Sequence, residues 1–175
     1  MSNPRLTMMC GVLTTILVGC AGYQLGPQSL YRNDIRTVYV PIIQSDVYRR
    51  DFGERLTEAL VKEIELKTPY KVVHYPNADS VLSGRLTSES KSIIAENTFD
   101  EPRVLESAVV VHINWMDRYG NVLMPDARLP ISSFALEVTE TAVFIPEAGQ
   151  SQATAQLDIF QDLAQQIVGQ METRW

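Results

Sequence analysis

Two cysteines and two histidines are all that 175 residues contain, which leaves little from which to build an active site. Zinc-type spacings of Cys and His are absent, as is the Gly-x-Ser-x-Gly turn that exposes a catalytic serine. Gly84 and Gly120 stand alone, so there is no glycine-rich phosphate loop. His74 and His112 both fall in predicted strands, and His112, between Val111 and Ile113, reads as a sheet histidine rather than a base. Asp100-Glu101 and Glu137/Glu140 are paired carboxylates in sequence only, because Glu137 and Glu140 in a strand face opposite sides. These absences argue against an enzyme, a metal centre and a cofactor. An excess of basic residues is also missing. The formal net charge of −6 lacks the electrostatic footprint of a nucleic-acid binder, so no nucleic-acid partner is expected.

The one long apolar run is residues 6–18, about a dozen residues, short of the ~20 needed to span a bilayer and suited to a secretory signal. Arg5 precedes it, with no acid. Leu17-Val18-Gly19-Cys20 closes it and resembles the bacterial lipoprotein box, an aliphatic and small residues leading to a cysteine. The expectation is a signal peptide over residues 1–19 and an acylated Cys20 as the mature N-terminus. Two or three acyl chains anchor stably where one binds marginally. Ala21, rather than an aspartate, follows the cysteine and favours the outer membrane. Cys10 leaves with the signal and an acylated Cys20 cannot oxidise, so the remaining chain must be held by its core alone. Its length is that of one domain.

Residues 20–34 are rich in turn formers and read as an acylated tether, with a single domain over 35–175. Residues 36–43 read as a strand with Val38, Val40 and Ile42 on one face, and Pro41 marks an edge position or a strand end. Asp51 with Glu54 three residues on is the acidic form of a capping box, and Asp51 is the expected N-cap. Phe52, Leu56, Ala59, Leu60 and Ile64 then recur at helical spacing until Pro69. Strands are expected over 70–75, 79–90, 104–116 and 134–145; in 104–116 Leu105, Val109, Val111, Ile113 and Trp115 alternate with Glu106, Ala108, Val110, His112 and Asn114, and in the last Phe134, Leu136 and Val138 face together. Polar residues 95–103 form a turn or tip. From Ser151, an expected N-cap, the period is helical again: Leu157, Phe160, Ala164, Ile167 and Met171, with Leu163 and Val168 widening the stripe and Trp175 extending it. The order strand, helix, several strands, helix (β-α-β-β-β-α for the main elements) predicts an α+β two-layer sandwich, two helices on one face of a small, mostly antiparallel sheet. Its first strand-helix-strand unit should be parallel.

Cation placement is the other place to look for function. Arg85, Lys91 and Arg103 are the candidate contacts for an anionic ligand, as phosphate or carboxylate partners near a strand tip; Arg118 and Arg128 lie near the opposite turns.

Several segments together carry a family resemblance. They are Cys20-Ala-Gly-Tyr-Gln-Leu25, Thr37-Val-Tyr-Val-Pro41, Leu56-Thr-Glu-Ala-Leu-Val61, Ala78-Asp-Ser-Val-Leu-Ser-Gly84 and the Ala/Leu-rich closing helix over 153–175. In order and spacing behind a lipobox they resemble the LptE family, the outer-membrane lipoprotein of lipopolysaccharide assembly. The resemblance implies two helices on a small sheet and no enzymatic activity. It also implies residence as a plug in the lumen of the outer-membrane barrel LptD, help in that barrel's folding, and contact with lipopolysaccharide. The competing expectation is an accessory or regulatory outer-membrane lipoprotein of another envelope complex, either a cell-wall synthase activator or a lipid-transport accessory. Only about fifteen residues separate Cys20 from the first strand, a reach of ~50 Å at most. That favours a partner in or at the membrane.

Overall fold

In the computed structural model, residues 30–75, 78–124 and 136–172 are described. The elements are β1 (Thr37–Tyr39), β2 (Gln44–Ser45), α1 (Asp51–Lys67), β3 (Lys71–Val72), β4 (Ser80–Glu96), β5 (Pro102–Asp117), β6 (Leu136–Phe144), a 3-10 turn (Pro146–Ala148) and α2 (Gln152–Gly169). The expected signal segment, Cys20, Arg128, Phe134 and Trp175 lie outside the described residues.

Among the described residues the strands form one sheet in the order β3-β1-β4-β5-β6, with β2 also paired to β4. The β1-α1-β3 unit is parallel, as a helical crossover requires. β1 and β2 also run parallel to β4, whereas β4-β5-β6 are antiparallel. The fold is therefore α+β as expected, on a mixed sheet whose long ladders are the antiparallel ones.

β1 sits between β3 and β4, so Pro41 does not mark an edge; it lies beyond the end of the strand. The expected face breaks there too. Val38 and Val40 are buried, but Ile42 is 67% exposed and Ile43 is buried instead. Extended pairing stops at Tyr39, so alternation no longer governs which side chain turns inward. Ile43 is fixed by α1: its N–H donates to Thr57 Oγ1 at 2.9 Å. The start of β1 is tied to the start of β4 by Asp79. Its carboxylate accepts from the backbone N–H of Arg36 (3.1 Å) and Thr37 (3.0 Å) and from Thr37 Oγ1 (2.9 Å).

α1 buries Phe52, Gly53, Leu56, Leu60 and Ile64, the expected stripe with a glycine added and Ala59 only partly buried at its margin. Asp51 is not its N-cap. Arg50 holds that position without a side-chain cap, and Asp51 is the first helical residue. There its charge faces the positive helix end beside Glu54 and pairs with Arg55 at 3.3 Å. Thr68, already extended, ends the helix ahead of Pro69. α2 begins as expected, Ser151 Oγ accepting from Thr154 N–H at 3.1 Å.

The stripe of α2 needs one correction. Phe160, Leu163, Ala164, Ile167, Val168 and Met171 are buried, but Leu157 is 51% exposed and Ile159 is fully buried. Leu157 lies at the margin of the buried arc, on the rim of an interhelical groove of about 450 Å³.

The helices meet through Phe52 and Phe160, whose rings stand edge to face at 5.1 Å, an arrangement favoured by the ring quadrupoles. Their apolar faces and the inward residues of β1, β4, β5 and β6 form one cluster. Trp115, the largest fully buried side chain among the described residues, donates from Nε1 to Ser80 Oγ at 3.0 Å. Within the expected tether, Tyr31 is buried, meets the Tyr70 ring edge to face and donates from its hydroxyl to Glu172. Burial and Glu172 push its hydroxyl up to about 12, so it stays protonated.

Candidate functional site

β4 and β5 are 17 and 16 residues long, about three times an ordinary strand. β6 ends opposite Leu105 at Phe144, so beyond it the β4–β5 hairpin continues as a two-stranded arm. Below the arm, where β6 still pairs, the body of the hairpin is tied to α2 by a buried amide. Gln156 Oε1 accepts from Arg49 Nη1 at 2.9 Å, and Gln156 Nε2 donates to Glu89 Oε1 at 3.1 Å.

Two features of β4 decide what the arm presents. The first is a bulge between Leu86 and Ser88, where Thr87 is inserted without a partner in the register. An extra residue shifts the side-chain phase. Before the bulge, Leu82 and Leu86 face the helices; after it, Glu89, Lys91 and Ile93 lie opposite the inward residues Val109, Ser107 and Leu105. Arg85, opposite His112, is therefore on the outer face of the sheet, and Lys91 is on the inner one.

The second feature is the tip. Asn97 Oδ1 accepts from the N–H of Phe99 (2.8 Å) and Glu101 (3.0 Å), and Asn97 N–H donates to the Glu101 carbonyl at 3.0 Å. Asp100 takes the left-handed conformation, φ 58°, one that aspartate tolerates better than most residues. This turn holds Phe99 outward, 82% exposed, with Ile93 and Ile94 also exposed just behind it.

The structure does not bring the three candidate cations into one site. Arg85 is bound by Asp46, both carboxylate oxygens at 3.1 Å, and by Gln44 Oε1 at 2.6 Å. It heads an outer-face row that continues through His112 to Glu137, these two 3.6 Å apart. Lys91 lies over the ring of Phe144, 5.6 Å from its centre. Arg103 is held by Glu101 at 3.2 Å and by Glu147 of the 3-10 turn. Two of the three are thus internally neutralised and the third is engaged with an aromatic ring. Among the described residues no group of His, Cys, Asp and Glu is placed to hold a metal ion, and no helix is long and apolar enough to cross a membrane.

The outer face of the sheet carries rows of hydroxyls. Ser88, Val110 and Thr139 are cross-strand neighbours, as are Ser90, Ala108 and Thr141. All four hydroxyl residues are exposed. Sequence alternation supplies a polar outer face for the sheet but does not put Ser88 and Ser90 on it, because the bulge, which no residue type in the strand announces, sets their phase. Phe99 had one available signal, a single aromatic inside an otherwise polar turn.

Compared with known proteins, residues 35–171 match the family model LptE, described as lipopolysaccharide-assembly. No curated protein matches the chain. Among solved structures it is similar to uncharacterized lipoprotein B from Nitrosomonas europaea, with TM-score 0.58 and 18% identity over 85% of this chain and 89% of that one. It is also similar to the hypothetical protein CT253 from Chlamydia trachomatis, with TM-score 0.52 and 8% identity over 78% of this chain and 98% of that one. At these identities the likeness is one of fold.

Proposed function

Since the chain belongs to the LptE family, we propose that it is an outer-membrane lipoprotein that plugs an LptD-like barrel and assists its folding during lipopolysaccharide assembly. In this reading residues 1–19 are a lipoprotein signal, Cys20 is acylated, and residues 20–34 tether the domain to the membrane. The protein acts by binding and turns over no substrate.

The observation that best supports a plug is the hydroxyl-lined outer sheet face. The lumen of an outer-membrane barrel is polar. A hydroxyl can both donate and accept, so the rows Ser88/Thr139 and Ser90/Thr141 suit a wall of mixed hydrogen-bonding groups. Arg85, Lys91 and Arg103 remain candidates for contact with lipopolysaccharide phosphates, Lys91 being the one without a carboxylate partner in the ion pairs described above. A plug bound well above its Kd adds several kcal/mol to the folded state of the complex. Depletion of the protein should therefore leave the barrel misfolded or degraded, with lipopolysaccharide absent from the cell surface. A barrel that folds and delivers lipopolysaccharide normally without this chain would refute the proposal.

A further inference from the structure

We propose that the tip of the β4–β5 hairpin is a docking knob for a partner protein whose receiving surface is an apolar hollow rimmed by arginine and lysine. The inference rests on the reading that this chain works by binding a partner, and it specifies the chemistry of that partner.

One exposed apolar side chain means nothing by itself. Here Phe99 is exposed at the apex of an arm that projects past β6, with Ile93 and Ile94 exposed at its base, all within seven residues, and apolar exposure concentrated in this way marks an interaction site. Phe99 has the character of an interface anchor, a large aromatic presented at the apex. It is also pre-organised. The Asn97 side chain and backbone close the turn beneath it, so little conformational freedom remains to be lost on docking.

The charge around the patch selects the occupant. Glu96, Asp100 and Glu101 lie on the arm, Glu106 lies just below it opposite Val143 of β6, and Glu147 reaches it from the 3-10 turn. Against these five carboxylates stand Lys91 and Arg103, and Arg103 is already held by Glu101 and Glu147. A net acidic surface repels an anionic glycolipid or lipid headgroup and attracts a cationic rim. The apex therefore favours protein over lipopolysaccharide, even though Arg103 stands at its base.

The test places the photoreactive residue benzoyl-phenylalanine at position 99 of the full-length protein in living cells and identifies the adduct by mass spectrometry. The expected adduct is a protein, crosslinked through a peptide that combines apolar residues with two or more Lys or Arg. The double substitution Glu96→Lys/Glu106→Lys should cut its yield about tenfold, the equivalent of about 1.4 kcal/mol, with no change in the thermal midpoint. If that variant does not fold, raising salt in isolated envelopes serves instead, because screening should lower the yield for the unaltered tip. A lipopolysaccharide adduct, no adduct, or a yield indifferent to both charge reversal and salt would overturn the inference. A basic protein adduct that is not a barrel, with no barrel recovered on affinity purification, would uphold it while refuting the plug. Recovery of an LptD-like barrel with a lipopolysaccharide adduct at position 99 would do the reverse.

Discussion

The carbonyl oxygen of Ile43 occupies the space that a side chain on Gly53 would need: a Cβ there would lie 2.0 Å from it. The first turn of α1 is thus pressed onto the backbone that leads into β2. Intrinsic propensity favours alanine over glycine by about 1 kcal/mol in a helix interior. The contact is backbone, which cannot swing aside, and overpacking typically costs 1–3 kcal/mol. Gly53→Ala should therefore lower the thermal midpoint, whereas Gly169→Ala, with nothing within 4 Å of the new Cβ, should not. Equal midpoints for the two variants would show that the Ile43 segment moves freely.

Phe160 joins the helices, and truncating a buried phenylalanine costs about 3–5 kcal/mol. For a domain of this size that is roughly 2–4 °C in midpoint per kcal/mol. Phe160→Ala should lower the midpoint by about 10 °C. Leu157→Ala and Gln161→Ala, both at exposed positions, should shift it little. A large effect at Leu157 would mean that the interhelical groove is filled in solution.

Asp79 predicts the acid limb of stability. The hydrogen bond from Thr37 is the main cause that holds its carboxyl below the ordinary value, with the Arg36 and Thr37 N–H groups and Arg118 adding to it and partial burial opposing. A carboxyl depressed in the folded state stabilises above its unfolded pKa, near 3.9, and that contribution is lost as pH falls through the folded value. Asp34 and Asp117 are shifted in the same direction. Urea midpoints should be nearly constant from pH 7 to about 4.5 and then fall. Asp79→Asn should be less stable at pH 7 and lose less below pH 4. A loss below pH 4 as steep as that of the unaltered protein would remove Asp79 from the account.

Cys20→Ser should abolish metabolic palmitate labelling and leave a soluble or uncleaved form, as Leu17-Val-Gly-Cys20 implies. Labelling that persists in the variant would refute the lipoprotein assignment.

Much of the fold was legible where a period runs unbroken. The stripe of α1 and the alternation of β5 are read directly because each spans several turns or pleats, and buried Phe52, Leu56, Leu60 and Val109, Val111, Ile113 follow. What failed are the places where one residue resets the phase. β1 ends at Tyr39, ahead of Pro41, and Ile43 turns inward in place of Ile42. Thr87 bulges out of β4 and puts Arg85 and Lys91 on opposite faces. Asp51 has the right residue type for a cap, but the helix begins one residue early and consumes it. Leu157 has the right spacing, but the partner helix does not cover the margin where it lies. The parallel pairing of β4 with β1 joins residues 42 apart, such as Val38 with Ser80 and Tyr39 with Val81, a choice that local pattern does not encode. The cations were visible in the sequence, but the carboxylates that neutralise Arg85 and Arg103 come mostly from other elements and emerge only in three dimensions.

The central claim is that the protein binds a barrel, and affinity purification of the acylated full-length protein from detergent-solubilised outer membranes tests it most directly. The account predicts recovery of a large LptD-like β-barrel in near-equal amount with the bait. Recovery of a cell-wall synthase alone, or of no barrel at all, would contradict it.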